Sequence, residues 1–445
     1  MTVANNKIVL YGHFGSGNIG NDTCLEAALH YVRKYQGQSK VICVCSGPGE
    51  IRQRFGIETL PISVDPEVQA SRSRTFVVRN RLRLSDELRF WLEYPSWFRA
   101  GDSFIVVGTG AADDLGVARP WGSPYELYKW CKAAKKGGAQ VVFLSVGVGP
   151  IVNRISRALM LKALLVADYR SYREKASFDY LHSVGFDTTR DRLYPDLAFS
   201  LVKDLPPVRQ TADAHTNVVG VGLMNYRGWH FHRRRSEAIH ERYVTQIKRF
   251  VAWLLQRGDT VRLVSGDAVD LGVVHEIKRH FAALGNSAGT GFLVAAPVVT
   301  VDDLLAEIAQ TDIVVASRFH NVLCALLVGV PVISLGYHDK NVNLMSAMGL
   351  SAYCQHIERF TFERLVQQFE SYAAEREHAL QRIQKKREEY RRSLEEQYRI
   401  VLLAGQRSHD RLALHQSDEQ KSSAISGPML REARCAGCSF APAHR

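Results

Sequence analysis

The stretch that decides the fold runs from Asp302 to Lys340 and reads DDLLAEIAQTDIVVASRFHNVLCALLVGVPVISLGYHDK. Its apolar periodicity predicts, in order, a helix, a short buried strand, a loop, a buried helix and a second buried strand. Strands that are apolar throughout are typical of a parallel sheet covered by helices on both faces. The stretch therefore indicates an α/β fold.

Polar side chains follow both of these predicted strands. Arg318 and His320 come directly after the first, where the next helix starts, and Tyr337 and Lys340 come directly after the second. Ligands of open α/β sheets bind beyond the carboxyl ends of the strands. Cations and a helix N-terminus at such a point attract anions, so the sequence predicts an anion site, for phosphate above all.

Strands and helices alternate on both sides of this stretch. At 445 residues the chain is too long for one ordinary core, and it predicts two Rossmann-like domains that face a cleft. A proline-containing polar segment separates the two alternating halves, and the apolar pattern fades near the end of the chain. The predicted units are an N-terminal acceptor-side domain (1–204), a linker (205–216), a C-terminal donor-side domain (217–355), C-terminal helices (356–404) and a disordered tail (405–445).

The composition is that of a soluble globular protein, with 46% hydrophobic and 23% charged residues. The net charge of +12 favours anionic partners, but no nucleic-acid-binding pattern is present, so nucleic acid is not expected. No apolar run is long enough to span a bilayer, and the N-terminus has no signal-peptide pattern. We expect a cytoplasmic protein. Peripheral contact with the inner face of the membrane stays open.

The eight cysteines are scattered along the chain. Cys43, Cys45, Cys131 and Cys324 lie in apolar segments and are predicted to be buried thiols. A single Cys435-x-x-Cys438 pair in the tail is a weak metal or redox signal. No metal site is predicted.

A glycine-rich turn, Gly12 to Asp22, separates the first predicted strand from a helix and contains Gly15 and Asn18. Such a turn lets backbone amides approach an anion or a sugar closely. It lacks the Gly-Lys-Ser/Thr of a Walker loop and the spacing of a dinucleotide fingerprint. The alternative is a tight turn that only packs helix on strand.

Two other stretches are rich in basic residues. Residues 71–83 alternate arginines with apolar residues, which suits an anionic membrane or a lipid-linked diphosphate, or else a solvated helix face. Residues 227–235 hold four arginines and two histidines and suit a loop that faces phosphate or acceptor. This loop is unconvincing as a metal cluster, because no carboxylate or cysteine completes a ligand set.

Taken in order, the motifs resemble the polysaccharide pyruvyl transferases over residues 8 to 350. The most specific part is Arg-x-His followed by Gly-x-Pro and Tyr-x-x-Lys. The motifs are Gly12 to Asp22, Gly108-Thr109-Gly110, Gly147-Val148-Gly149-Pro150, Ser171-Tyr172-Arg173-Glu174, Pro195-Asp196, Ser317-Arg318-Phe319-His320, Gly329-Val330-Pro331, and Tyr337 with Lys340.

The resemblance implies a fold similar to the GT-B glycosyltransferases and phosphoenolpyruvate as the donor substrate, with no cofactor. The acceptor implied is a glycan or lipid-linked oligosaccharide, and the product is a pyruvate ketal on a sugar of an exopolysaccharide or cell-wall glycan. Phosphoenolpyruvate carries a phosphate and a carboxylate, which suit fixed cations such as arginine.

The residues and the resemblance together give a hypothesis for the site. His320 is the predicted general acid, although a helix-capping or core histidine is the alternative. A carboxylate, Asp22 or Asp113, is the predicted base for the acceptor hydroxyl. Arg173 is predicted to hold the donor, or else to form a salt bridge with Glu174 or Asp196. The predicted substrate-binding residues are Arg318, Arg173, Lys340, Tyr337, Gly15, Asn18 and Gly110.

Two other functions stay open on the sequence. A nucleotide-sugar glycosyltransferase of the same two-domain shape would bind a diphosphate in the same cleft. A non-catalytic scaffold of glycan assembly would need no Arg-x-His pair at a strand end.

Overall fold

A computed structural model gives the structure of most of the chain. It describes residues 6–63, 76–108, 120–201, 205–209, 217–228, 236–285, 289, 291–296, 298 and 300–404, and for 76–86 it describes the backbone alone. The predicted tail, Gly110, Asp113, the Cys435-x-x-Cys438 pair and most of the basic loop at 227–235 lie outside the described residues.

The first half of the chain forms a sheet of seven parallel strands. They are β1 (Lys7–Gly12), β2 (Lys40–Cys45), β3 (Glu58–Pro61), β4 (Ser103–Val107), β5 (Gln140–Val146), β6 (Tyr169–Tyr172) and β7 (Arg192–Leu193). Their order across the sheet is β3-β2-β1-β4-β5-β6-β7. The order reverses between β1 and β4, and ligands of doubly wound sheets bind beyond the carboxyl edge at such a point.

Six described helices accompany this sheet. They are α1 (Ile19–Tyr35), α2 (Pro48–Phe55), α3 (Phe76–Trp97), α4 (Ser123–Lys136), α5 (Arg154–Leu165) and α6 (Lys175–Ser183). α3 packs against α4, and α4 packs against α5, so these three lie side by side. The core that they share with the sheet centres on the fully buried Trp130 and Phe104, whose rings stack 6.4 Å apart.

The second half forms a sheet of six parallel strands whose order reverses once, as in the first sheet. They are β8 (Val218–Leu223), β9 (Thr260–Ser265), β10 (Leu293–Val294), β11 (Ile313–Ala316), β12 (Val332–Gly336) and β13 (Cys354–His356). Their order is β10-β9-β8-β11-β12-β13, which reverses between β8 and β11. All four residues of β11 and all five of β12 are buried, as expected for strands covered on both faces.

Seven described helices belong to this half and to the C-terminal segment. They are α7 (Ser236–Gln256), α8 (Leu271–Leu284), α9 (Val301–Ala309), α10 (Phe319–Val328), α11 (Asp339–Ala347), α12 (Phe362–Ala374) and α13 (Arg376–Ala404). α9 begins at a capping box in which Thr300 and Asp303 bond each other's backbone amides. α10 ends at Gly329, which adopts the left-handed conformation that favours glycine.

The last helix, α13, leaves the second sheet and packs on the first. Tyr398 stacks on Tyr31 of α1 with ring centres 4.2 Å apart, and both rings are buried. Gln397 reaches the strands themselves, because its amide nitrogen donates to Ser171 Oγ at 2.6 Å and its oxygen accepts from Ser145 Oγ at 3.0 Å. α13 therefore ties the two halves together.

The structure confirms the predicted fold class, which is α/β with two parallel Rossmann-like sheets. The helix, strand, helix and strand predicted from Asp302 onward are α9, β11, α10 and β12. The four predicted buried thiols are buried, as are Cys24 and Cys354. The seven-stranded sheet ends at Leu193 and the six-stranded sheet begins at Val218, on either side of the predicted linker. Among the described helices, none has the length and apolarity needed to cross a bilayer.

Candidate active site

The candidate site lies where the reversal points of the two sheets meet. The loop after β1 leads into α1, and the loop after β11 leads into α10. A β-bridge joins Asn18, at the start of α1, to Asp267, which follows β9. We call the space between these two loops the groove. Because ligands of doubly wound sheets bind at such reversal points, the groove is the place where this fold favours a ligand.

The N-terminus of α10 opens into this groove. Arg318 is its N-cap residue, and no side chain caps the first turn. The uncapped amides of a first turn carry partial positive charge and bind anions. The N-terminus of α10 is therefore suited to an anion, and the anion site itself stays a prediction.

His320 lies in the first turn of α10 and faces the other half of the chain. A Cβ atom added to Gly20 of α1 would lie 1.7 Å from His320 Cδ2, so the imidazole rests against the bare backbone of this glycine. Burial lowers the pKa of His320 well below its ordinary value, and the nearby Lys340, Arg173 and Arg318 lower it further. The imidazole is therefore neutral at pH 7 in the unliganded protein.

Arg318 is held by two carboxylates that the sequence analysis did not connect with it. Its Nε and Nη2 donate to the two oxygens of the fully buried Asp270, at 2.7 and 2.9 Å, and its Nη1 lies 3.7 Å from Asp267 Oδ2. The bidentate pair fixes the plane of the guanidinium. The two carboxylates also offset the positive charge of Arg318. Arg318 therefore contributes less net positive charge to the groove than the sequence suggests.

Arg173 reaches the same place from the first sheet. It follows β6, its Nη1 donates to Asp196 Oδ2 at 2.9 Å, and its guanidinium carbon lies 5.6 Å from the centre of the Phe319 ring. Its buried Nε has no hydrogen-bond partner in the described part of the chain. Of the two alternatives for Arg173, the salt bridge with Asp196 is present, and its role in holding the donor stays a prediction.

Lys340 and Tyr337 follow β12 and border the first turn of α10. The Lys340 ammonium lies 5.5 Å from the centre of the Phe319 ring and 5.6 Å from that of Tyr337. Among the described side chains, no carboxylate lies within 4 Å of this ammonium. Of the cations at the groove, Lys340 is therefore the one whose charge is least compensated.

His338 is a second imidazole at the groove, which the sequence analysis passed over within Tyr337 to Lys340. Its Nδ1 accepts from the Lys340 backbone N–H at 3.2 Å and so caps α11. Burial lowers the pKa of His338 to about 4, with Lys340 and Arg173 adding to the effect. Because Nδ1 accepts, the proton of the neutral ring is on Nε2.

The glycine-rich turn is built around Asp22. Its Oδ1 accepts from the Gly15 N–H at 2.9 Å, Arg54 lies 3.5 Å from its Oδ2, and it is only 3% exposed. Asn18 caps α1 by accepting from the N–H groups of Gly20 and Asn21. Gly15 has a φ of +66°, and a Cβ there would lie 2.6 Å from Gly47 O. These contacts account for the turn structurally, and the basic role of Asp22 stays a prediction.

The remaining predicted site residues, Gly110 and Asp113, belong to the segment after β4 that lies outside the described residues. The described residues form a small cationic surface at the groove. It consists of a helix N-terminus, two partly neutralised arginines, one uncompensated lysine and two neutral imidazoles. This set suits a compact anion with more than one charge, and an imidazole beside it can exchange a proton.

Comparison with solved structures shows what this fold is similar to. A glycosyltransferase from Rickettsia africae has a TM-score of 0.53 at 12% identity, covering 91% of this chain and 100% of that one. The UDP-GlcNAc 2-epimerase of Neisseria meningitidis, bound to UDP-GlcNAc, has a TM-score of 0.53 at 11% identity, with coverages of 90% and 100%. An Anabaena protein in complex with UDP and glucose has a TM-score of 0.51 at 12% identity, with coverages of 95% and 100%. At these identities the likeness shows a GT-B-like fold.

The comparison of sequences gives the family. Among curated proteins, none matches the chain. The sequence model of the polysaccharide pyruvyl transferases matches residues 18–339, from Asn18 at the start of α1 to Asp339 beside Lys340. That span includes the groove residues of both halves, apart from Lys340. The chain belongs to the polysaccharide pyruvyl transferase family, which is a family of transferases.

Proposed function

We propose that this protein transfers the enolpyruvyl group of phosphoenolpyruvate to a sugar of an exopolysaccharide or cell-wall glycan, forming a pyruvate ketal and releasing phosphate. The observation that carries the proposal is the convergence of Lys340, Arg173 and His320 on the uncapped N-terminus of α10. A small donor with a phosphate and a carboxylate matches this set in charge and in size.

The proposed reaction balances without a cofactor. A proton adds to the methylene carbon of phosphoenolpyruvate, and the carbon that bears the phosphate becomes electrophilic. A sugar hydroxyl attacks this carbon, the bond from carbon to phosphate oxygen breaks, and a second hydroxyl of the same sugar attacks and closes the ketal. Of the two hydroxyl protons, one replaces the proton given to the methylene carbon and the other leaves with phosphate.

Each groove residue has a role in this scheme. Lys340 and the amides of α10 bind the phosphate, and Arg173 contributes a hydrogen-bond donor from the first domain. Arg318, fixed by Asp270, contributes the end of its guanidinium that lies beside Asp267. His320 gives the proton, since the negative charge of a bound donor opposes the cations that depress its pKa in the free protein.

The experiment that tests the proposal is ligand-dependent thermal unfolding. A ligand that binds only the folded state raises the melting temperature, by a few degrees at about a hundredfold excess over its Kd. Phosphoenolpyruvate is expected to do so and UDP-GlcNAc is not. The reverse pattern would contradict the proposal and favour a nucleotide-sugar glycosyltransferase.

A variant locates the donor on the protein. Lys340→Gln removes the uncompensated charge and is expected to weaken phosphoenolpyruvate binding by roughly 10- to 100-fold, since a hydrogen bond to a charged group contributes about 1.5–3 kcal/mol. Lys278→Gln, at an exposed position of α8, is the matched control and should bind as the unaltered protein does. Equal binding by the two variants would remove Lys340 from the donor site.

A further inference from the structure

Large apolar side chains are exposed together on one edge of the first domain. Leu88 and Leu92 of α3 are 63% and 69% exposed, Trp121 before α4 is 72%, and Val152 and Ile155 at the start of α5 are 61% and 52%. We call these five residues the apolar rim. Single exposed apolar residues need no explanation, but several on adjoining elements mark an interaction surface.

The apolar rim lies on α3 and at the starts of α4 and α5. These positions are close to the carboxyl edge of the first sheet, which borders the groove. Trp121 and Val152 follow β4 and β5, which are neighbours in the sheet, so both lie beyond its carboxyl edge. Glu87 of α3 accepts from Tyr125 Oη at 2.8 Å, and Trp121 packs edge-on against Tyr125. Leu88 therefore lies at the height of the first turn of α4, and Leu92 lies one helical turn farther from the carboxyl edge of the sheet.

Positive charge accompanies these apolar residues. The first turn of α5 has no acidic residue, and it places the exposed Arg154 between Val152 and Ile155. No acidic residue occurs anywhere between Gly149 and Ala167. The sequence from 68 to 85, which runs into α3, holds five arginines and no acidic residue. Of the α3 carboxylates whose side chains the structure describes, Glu87 pairs with Lys129 and Glu93 with Arg89.

We propose that the apolar rim, with the exposed Arg154 within it and the arginine-rich sequence that runs into α3, docks this protein on an anionic membrane surface. Apolar side chains that enter the headgroup region and basic side chains that meet anionic lipid are the two terms of peripheral membrane binding. Tryptophan favours this interface because its ring is amphipathic. A docked protein holds the groove close to the bilayer, where a lipid-linked acceptor would be found. The docking itself does not depend on the proposed reaction.

The positive charge near the apolar rim favours a bilayer over a second copy of the protein as the partner. A twofold interface between two copies would bring Arg154 and Arg157 of one copy toward the same arginines of the other, which is unfavourable. An anionic bilayer meets the same arginines with opposite charge, at about 1 kcal/mol for each basic residue near the surface. The attraction is screened by salt, so it weakens with ionic strength.

The experiment is co-sedimentation of the full chain with vesicles of phosphatidylcholine alone and of phosphatidylcholine with phosphatidylglycerol. Binding is expected to the anionic vesicles and to weaken in high salt. The double variant Val152→Ser/Ile155→Ser is expected to lower the partition coefficient about tenfold or more, since two large apolar groups no longer enter the interface.

Leu165→Ser is the matched control. Leu165 is 66% exposed and ends the same helix, roughly 15 Å from Ile155 and at the opposite edge of the sheet. This control should bind as the unaltered protein does, and circular dichroism checks that both variants fold. Equal binding by the double variant, or no binding of the unaltered protein to anionic vesicles, would overturn the proposal. A protein that light scattering finds dimeric without vesicles and monomeric in the double variant would also overturn it.

Discussion

At the scale of single residues, the groove couples two imidazoles to three cations. His320 and His338 both have lowered pKa values, because burial and the nearby cations disfavour the imidazolium form. Both are neutral at pH 7 in the free protein. A bound dianion would change this balance most for the imidazole that it touches.

Replacing His320 tests its role as the acid. His320→Ala is expected to lower phosphate release from phosphoenolpyruvate at least about 100-fold, the usual contribution of general acid–base catalysis, while the thermal shift caused by the donor persists. His182→Ala, at an exposed position of α6, is the control. Phosphate release by His320→Ala at the rate of the control would remove the imidazole from the mechanism.

Replacing His338 tests the depressed pKa through stability. An unfolded histidine has a pKa near 6.5 and the folded one about 4, so the unfolded state binds more protons between these values. Folding stability from this group is therefore full above pH 6.5 and declines as pH falls toward 4, by up to about 3 kcal/mol.

His338→Asn keeps a side chain that can cap α11 but does not titrate. We expect its free energy of unfolding, measured with denaturant at pH 7.5 and pH 5, to fall less on acidification than that of the unaltered protein. An identical pH dependence for both proteins would show that His338 is not the group responsible.

At the scale of elements, the site depends on how closely α1 and α10 approach each other. The imidazole of His320 contacts Gly20 at the first turn of α1, so the N-termini of α1 and α10 meet with this imidazole between them. The β-bridge between Asn18 and Asp267 lies next to this contact and also holds the two halves close together. This geometry gives Gly20 a steric role that the sequence motif alone does not reveal.

Gly20→Ala tests that approach. Helix propensity alone would favour alanine by about 0.5–1 kcal/mol, but overpacking costs typically 1–3 kcal/mol and forces the imidazole or the helix to move. We therefore expect net destabilisation in denaturant unfolding and at least about a tenfold loss in kcat/KM for phosphate release. Gly49→Ala, in α2, is the control, because a Cβ there meets nothing within 4 Å. Equal behaviour of the two variants would contradict the contact.

Much of this element-level organisation could be predicted from sequence. The apolar runs of β11 and β12 and the turns after them placed Arg318, His320, Tyr337 and Lys340 at strand ends, because strand burial and helix starts are local signals. The partner of Arg318 could not be predicted. Asp270 lies 48 residues away and meets it only because β9 and β11 flank β8 in the sheet.

At the scale of the whole molecule, the C-terminal helix joins the two halves close to the candidate site. Gln397 bonds Ser171 in β6, and Arg173 directly follows the end of that strand. The stacked pair Tyr398 and Tyr31 anchors α13 beside this contact. The sequence predicts helices over 356–404 but not these buried contacts, because polar residues such as Gln397 carry several of them. The arrangement lets α13 fix the position of Arg173 opposite the second domain.

The measurement that tests the central claim most directly is a transfer assay with the whole protein. The protein is incubated with phosphoenolpyruvate and a panel of lipid-linked glycans extracted from cells, and the products are followed by mass spectrometry and by phosphate release. The account predicts a glycan that gains the mass of one pyruvyl ketal, with one phosphate released per ketal and both formed at least about 100-fold more slowly by His320→Ala. A glycan that instead gains a hexose from a nucleotide sugar, with phosphoenolpyruvate left intact, would contradict it.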